Sequence, residues 1–129
     1  LKTMVIKGNS RKELTMTTVY YNDQHYQVHV KEPELFGGIN WGWIDLIDSK
    51  GFQYTNATIM PYSIVTADVL DLIDEQETLY AIQDSQNPGL ESELIRSDII
   101  QTYPIKQIEW WGFQTARIYK LHQHIIKEL

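Results

Sequence analysis

Cysteine is missing from this chain of 129 residues, and its absence removes several kinds of chemistry. There is no disulfide, no thiolate nucleophile and no zinc site with sulfur ligands. A glycine-flanked serine of the nucleophile-elbow type is also missing, and no glycine-rich phosphate loop opens a helix. The sequence therefore predicts no cofactor and carries no local signature of catalysis.

Long apolar runs are missing too. No segment approaches the roughly 18 to 20 consecutive apolar residues that a membrane-spanning helix needs. Residues 1–10 lack the apolar stretch of a signal peptide. We therefore expect no membrane span and a cytoplasmic location. Because the chain begins at Leu1 rather than Met, a trimmed leader or anchor stays open.

Basic side chains are few, with 11 Lys and Arg against 17 Asp and Glu and a net charge of -6. This charge repels a polyanion, so nucleic acid is not an expected partner. The acidic excess is local, because residues 66–98 carry nine acidic side chains and one basic side chain. These residues are predicted to present an acidic edge.

Apolar and aromatic residues are plentiful, at 43% and 12% of the chain. A chain of this length buries roughly two thirds of the surface that its unfolded form exposes. We therefore predict a single domain over residues 1–129, with residues 1–12 as a candidate flexible arm. Sixteen Ile against four Ala point to an AT-rich genome, such as that of a low-GC bacterium or its phage.

A short internal echo is the most informative pattern. Residues 43–48, WIDLID, resemble residues 69–74, VLDLID, at an offset of 26, and each copy has a Tyr nine residues after its first Asp. An internal repeat predicts two copies of one supersecondary unit. Such repeats more often build a scaffold than a catalytic site.

The first half of the chain is typical of β-hairpins. Branched and aromatic residues predict strands at 13–21 and 25–30 around a turn at Asn22. Residues 31–40, with one Pro and a Gly pair, are predicted to be a loop. Strands at 41–48 and 52–60 flank a three-residue turn that ends in Gly.

The apolar residues of segment 66–76 fit both the spacing of a helix and that of a β-strand. Thr66 could cap a helix with an apolar stripe of Val69, Leu70, Leu72 and Ile73. Alternatively, residues 69–74 and 77–83 form a second hairpin, which the match between Tyr54 and Tyr80 favours. We prefer the hairpin.

The rest of the chain completes the predicted fold. Residues 84–93 are expected to form a surface loop, and residues 94–103 and 105–111 two short strands. Apolar residues at three- and four-residue steps then predict an amphipathic helix at 115–129. The fold class is α+β, mainly β: a small antiparallel barrel or strongly bent sheet built from hairpins, with the C-terminal helix packed on it.

Aromatic side chains are the best candidates for a binding surface. Trp41 and Trp43 project from one face of a predicted strand, and Trp110 and Trp111 form a second cluster, with Tyr62 as a further contact. Exposed aromatics would mark a partner surface. The alternative is that both tryptophan clusters lie in the core, which is the more common case for large rings.

Acidic and histidine side chains give an alternative metal site made of Asp45, Asp71 and His25. The spacing argues against local chelation. His25 and His29 would lie roughly 13 Å apart along a strand. His122 and His124 would point to different sides of a helix.

We therefore predict a non-enzymatic binding or assembly module. Its partner would be another protein or a second copy of the chain, bound through an aromatic surface. One alternative is a small metal-dependent hydrolase that uses the Asp and His side chains between the two repeated hairpins. The other is a small-ligand-binding barrel.

Overall fold

The computed structural model describes residues 4–5, 11–110 and 114–127, with side chains for residues 17–109 and 114–127. The fold is mostly β. An antiparallel sheet has the order β1-β2-β3-β4-β5, with strands Met4–Val5, Arg11–Tyr21, Gln24–Phe36, Ile39–Ile47 and Gln53–Asn56. A second antiparallel sheet has the order β6-β8-β7, with strands Tyr80–Ile82, Lys106–Trp110 and Gln114–Tyr119 for β6, β7 and β8.

Four short helical segments complete the described part of the chain. Two are α-helices, α1 at Leu90–Arg96 and α2 at Gln123–Ile126. Two are 3₁₀ segments, at Pro61–Ser63 and Thr66–Leu72. The mainly β class is confirmed. Because both strand orders are linear, the fold is not a closed barrel, and the bent-sheet alternative stays a prediction.

The first predicted hairpin is confirmed. Strands β2 and β3 pair antiparallel around Asn22 and Asp23, whose φ angles of 48° and 63° are those of a two-residue hairpin turn. Asn and Asp tolerate this left-handed backbone better than other residues with a Cβ. The predicted arm at residues 1–12 lies mostly outside the described residues, although Val5 pairs with Lys12.

The predicted loop at 31–40 is wrong. Strand β3 continues to Phe36, and β4 starts at Ile39 after a two-residue turn of Gly37 and Gly38 with φ angles of 63° and 82°. Pro33 does not stop β3, because it falls where the register with β4 shifts between Lys31 and Glu34. Proline has no backbone N–H and cannot donate a hydrogen bond to the neighbouring strand. At a register shift no such hydrogen bond is needed.

The hairpin of β4 and β5 is confirmed. Asp48 Oδ1 accepts the backbone N–H groups of Lys50 and Phe52, at 2.9 and 3.0 Å, and Gly51 has a φ of 89°. Strand β5 is shorter than predicted. It ends at Asn56, and the backbone N–H of Ile59 then donates to Ala81 O of the second sheet at 2.9 Å.

The echo does not produce a second copy of this hairpin, so the preferred interpretation of residues 66–76 is wrong. Thr66–Leu72 forms 3₁₀ turns that meet at Val69, and β6 pairs with β8 instead of with residues 69–74. Val69 and Leu72 are buried and three residues apart, which is one turn of a 3₁₀ helix. The two similar segments therefore have different structures.

Three predictions in the C-terminal third are wrong in whole or in part. Where a loop and a strand were expected, Leu90–Arg96 is helical, and its Leu90 and Leu94 are buried on one face. Where residues 115–129 are predicted to be helical, Gln114–Tyr119 is a strand, because Ala116 and Ile118 alternate into the core. Of the described residues in that range, only Gln123–Ile126 forms a helix. The predicted strand at 105–111 is confirmed as β7, Lys106–Trp110.

The core has two parts, one on each face of the second sheet. Tyr80, Ile82 and Tyr119 pack with apolar residues of β2, β3 and β4 and with Leu90 and Leu94. The intervening residues, including Ala81 and Ile118, pack with Trp41, Val69 and Leu72. The sheets meet at β4, where Gly42 N donates to Leu79 O at 2.8 Å.

Candidate protein-binding surface

Two of the aromatic residues that the sequence offers as candidates for a binding surface are buried. Trp41 is 2% exposed and Trp43 is 8% exposed. Trp41 Nε1 donates to the backbone oxygen of Phe36 at 3.2 Å, and the ammonium of Lys31 lies 5.5 Å from the Trp43 ring centre. A ligand cannot stack on either ring while the protein is folded. The side chains of Trp110 and Trp111 lie outside the described residues.

The alternative metal set is not brought together. Asp45 is buried in β4, opposite His29 of β3, and His25 is exposed beside Tyr20. Asp71 forms an ion pair with Lys106 at 2.7 Å. Within the described ranges, no three His, Asp or Glu side chains converge as ligands for a metal ion.

Tyr62 is different, because it is exposed and belongs to a larger apolar surface. We define the hairpin-tip surface as seven exposed side chains around the turn between β3 and β4. They come from β3, from the segment 60–65 and from residues 70–73: Leu35, Phe36, Met60, Tyr62, Val65, Leu70 and Ile73. Their exposed fractions run from 36% to 68%.

Direct contacts join these elements. The rings of Phe36 and Tyr62 meet edge to face with centres 6.5 Å apart, and the Tyr62 hydroxyl donates to the sulfur of Met60. On the other side of the turn, a Cβ placed on Gly38 would lie 3.5 Å from Ile73 Cγ2. The hairpin tip is therefore held between the segments on either side of it.

The base of the hairpin-tip surface is tightly packed. Pro61, Ile64, Val69 and Leu72 lie beneath it and are all buried. The space between Phe36 and this layer is a cavity of about 10 Å³, which is at the lower limit for holding one water molecule. A well-packed base keeps the exposed side chains in position for a partner.

Exposed carboxylates lie next to the members of the hairpin-tip surface in sequence. Glu32 and Glu34 precede Leu35 in β3, and Asp68 and Asp74 flank the other side; all four are exposed. Within residues 17–109 and 114–127, none of these four forms an ion pair. The nearby Asp71 does, and the hydrogen bond from Lys106 lowers its pKa.

A separate buried ion pair attaches α1 to β8. Glu91 accepts Nε and Nη2 of Arg117 at 2.7 and 2.9 Å and also accepts the hydroxyl of Tyr119. Burial, and then the hydrogen bond to Glu91, raises the pKa of Tyr119. The hydrogen bond with Glu91 likewise raises the pKa of Arg117. Each polar group of this cluster is hydrogen-bonded to another, so the cluster attaches α1 to β8.

An open cleft lies on the five-stranded sheet. It has a volume of about 430 Å³ and includes His25, Gln27, His29 and Asp48 in its wall. Asp48 uses its carboxylate to close the turn between β4 and β5. The cleft therefore has polar walls but no pair of carboxylates free for acid-base chemistry among the side chains that line it.

Comparison with known proteins adds no identity. Neither a family model, nor a curated protein, nor a solved structure matches the chain. No helix in the described part of the chain is both long and apolar enough to cross a membrane.

Most of the hairpin-tip surface was not identified from the sequence. Of its seven members, only Tyr62 was a predicted contact. The pair Leu35 and Phe36 directly before two glycines was the available signal, because large apolar residues beside a tight turn often remain exposed. Only the helical alternative for residues 66–76 groups Leu70 and Ile73, as members of one apolar stripe.

Proposed function

We propose that this protein is a non-enzymatic binding or assembly module that contacts another protein through the hairpin-tip surface. The observation that carries this proposal is that seven large exposed apolar side chains belong to three segments that contact one another at the hairpin tip. Single exposed apolar residues are ordinary, whereas a contiguous group of this kind is typical of an interaction site.

The chemistry of the hairpin-tip surface supports protein binding. It combines two aromatic rings, a methionine and four aliphatic side chains: Phe36, Tyr62, Met60, Leu35, Val65, Leu70 and Ile73. Aromatic residues and methionine are enriched at protein interfaces, and charged residues are depleted from interface centres. The neighbouring carboxylates supply the polar rim that such interfaces usually have.

The two alternatives have less support. A metal-dependent hydrolase would need Asp45, Asp71 and His25 in one place, but they lie on three elements and Asp71 is paired with Lys106. A ligand-binding barrel would need a closed sheet, and both strand orders are linear. The single domain, the cytoplasmic location and the lack of affinity for nucleic acid stay predictions.

Affinity capture with matched variants tests the proposed function. The bait is the full chain, used as wild type, as Leu35→Ser with Tyr62→Ser, and as a control with Phe52→Ser and Tyr103→Ser. Leu35 and Phe52 are both 68% exposed, so the two pairs remove similar apolar area from different places. Captured proteins are then purified, and their binding to each bait is measured by calorimetry.

We expect wild type and the Phe52 and Tyr103 control to bind the same partner, and the Leu35 and Tyr62 variant to lose most of the affinity. Truncating a central interface anchor typically costs about 2 kcal/mol, which is roughly a 30-fold loss. Equal affinity for all three baits would refute the proposal. Circular dichroism checks that each variant is folded.

A further inference from the structure

We infer, on the basis of the proposed function, that the hairpin-tip surface takes a protein segment in which apolar side chains are flanked by Lys or Arg, rather than a second copy of this chain. Charge complementarity carries the inference. The acidic rim, Glu32, Glu34, Asp68 and Asp74, adjoins the apolar side chains in sequence, and within residues 17–109 and 114–127 no Lys or Arg pairs with it.

The rim is acidic on both sides of the apolar centre. Glu34 directly precedes Leu35 in β3, on one side of the turn. On the other side, Asp68 donates its backbone N–H to Val65 O at 2.9 Å, and Asp74 follows Ile73. A partner that covers the apolar side chains therefore brings its own flanking residues next to these carboxylates.

Among residues 17–109 and 114–127, whose side chains the structure describes, the nearby cations are too distant or already engaged. Between residues 32 and 105 the basic side chains are Lys50 and Arg96. Lys50 follows the far end of β4, a nine-residue strand that spans roughly 30 Å. Arg96 pairs with Glu93 on α1. Lys31 borders the rim, but its ammonium lies over the Trp43 ring.

The two lysines that reach the rest of this acidic region are also paired. Lys106 binds Asp71, and Lys120 lies 2.9 Å from Glu75 and 3.9 Å from Glu77. The hydrogen bond with Glu75 raises the pKa of Lys120, which keeps the ammonium charged. These contacts leave Glu32, Glu34, Asp68 and Asp74 as the carboxylates of this region available to a partner.

A second copy is a poor occupant for the same reason. Two identical chains that meet through one surface about a two-fold axis place that surface against itself. The acidic rim of each copy would then face the acidic rim of the other. Like charges across an interface oppose association, whereas Lys or Arg in the partner would form exposed ion pairs with the rim.

Selection from a random peptide library tests the inference. Peptides of about 12 residues, long enough to cross a groove or an exposed face, are displayed and selected on immobilised wild type. Peptides that also bind the Leu35→Ser, Tyr62→Ser variant are removed. We expect the remaining sequences to combine apolar residues with an excess of Lys and Arg over the starting library. Light scattering with size-exclusion chromatography, run on wild type and on this variant, measures self-association.

Two triple variants then test the rim. In one, Glu34→Gln, Asp68→Asn and Asp74→Asn neutralise three rim carboxylates. In the control, Asp23→Asn, Asp98→Asn and Glu109→Gln remove the same charge from exposed sites elsewhere. We expect the selected basic peptides to lose about tenfold in affinity for the rim variant, since each exposed ion pair contributes little by itself. The control should stay within about twofold.

Each outcome separates the inference from the proposed function. The inference would be overturned if the selected peptides were neutral or acidic, or if they lost equal affinity for the two triple variants. Either result would still be consistent with the hairpin-tip surface as a binding surface. A dimer that wild type forms and the Leu35→Ser, Tyr62→Ser variant does not would also overturn the inference, because a second copy would be the occupant. If the selection yields no peptide that binds wild type more tightly than that variant, the result counts against both the inference and the proposed function.

Discussion

Adding one methyl group at Gly42 should destabilise the protein strongly. A Cβ built on Gly42 would overlap the ring of Tyr80, with ring atom Cδ2 at 2.8 Å and two further ring atoms closer still. Tyr80 is 3% exposed and belongs to the core between the sheets, so moving its ring away from Gly42 would disturb the packing of that core. Overpacking of this kind costs about 3 kcal/mol.

Thermal unfolding measures this cost. For a domain of this size, we expect Gly42→Ala to lower Tm by about 10 °C. Gly51→Ala is the control, because Gly51 has a φ of 89° but no atom within 4 Å of its Cβ position. That variant should lose only the backbone preference for glycine, about 1 kcal/mol.

A double-mutant cycle identifies the cause. Tyr80→Val removes the ring, so adding Gly42→Ala to that variant should cost less than about 1 kcal/mol. If Gly42→Ala costs the same in both backgrounds, the steric account is wrong, and β4 does not pack against β6 as described.

Three further predictions concern ionisable side chains. In urea unfolding, Arg117→Met should destabilise the protein by about 3 kcal/mol, because it leaves the buried carboxylate of Glu91 without its cation. Glu91→Gln should cost about 2 kcal/mol, because the partly exposed Arg117 can still be solvated by water. The reverse order of the two costs would contradict the account. Burial raises the pKa of Tyr80, so the stability that its neutral hydroxyl contributes is fully present below about pH 10 and is lost as pH rises further. Tyr80→Phe should therefore resist alkaline unfolding better than wild type. The hydrogen bond from Lys106 lowers the pKa of Asp71 below 3.8, so its contribution is lost as pH falls through the lowered pKa; the Tm difference between wild type and Asp71→Asn should shrink toward pH 2.

Local turn chemistry was the most reliable guide to the fold. Asn22 with Asp23, and Gly51 after Asp48, fix two hairpins through contacts only a few residues apart in sequence. The Gly37 and Gly38 turn was missed because nearby Pro33 suggested a loop. A bulge that accommodates proline depends on the partner strand, which the local sequence does not reveal.

Periodicity misled where apolar residues served different elements. Ile118, Leu121 and Ile125 are spaced as on a helix. In the structure, Ile118 lies in β8, Leu121 bridges to Ile100, and Ile125 lies in α2. All are buried, so their apolar character was a correct signal for the core but not for the secondary structure.

The candidate site could be predicted only in small part. The sequence offers Tyr62 as a candidate contact, but whether a tryptophan lies inside or outside depends on packing between elements distant in sequence. Trp41 is covered by the segments around Ile64 and Val69, and neither contact follows from the sequence around the tryptophan. The hairpin-tip surface likewise joins residues more than 30 positions apart, such as Leu35 and Ile73.

Radical footprinting of the full chain, alone and with the partner recovered by capture, tests the central claim most directly. Oxidation is read by mass spectrometry at Leu35, Phe36, Met60 and Tyr62, with Phe52 as the exposed reference outside the hairpin-tip surface. We predict that the partner protects the first four side chains and leaves Phe52 unchanged. Protection of Phe52 with unchanged oxidation at the other four would contradict the account.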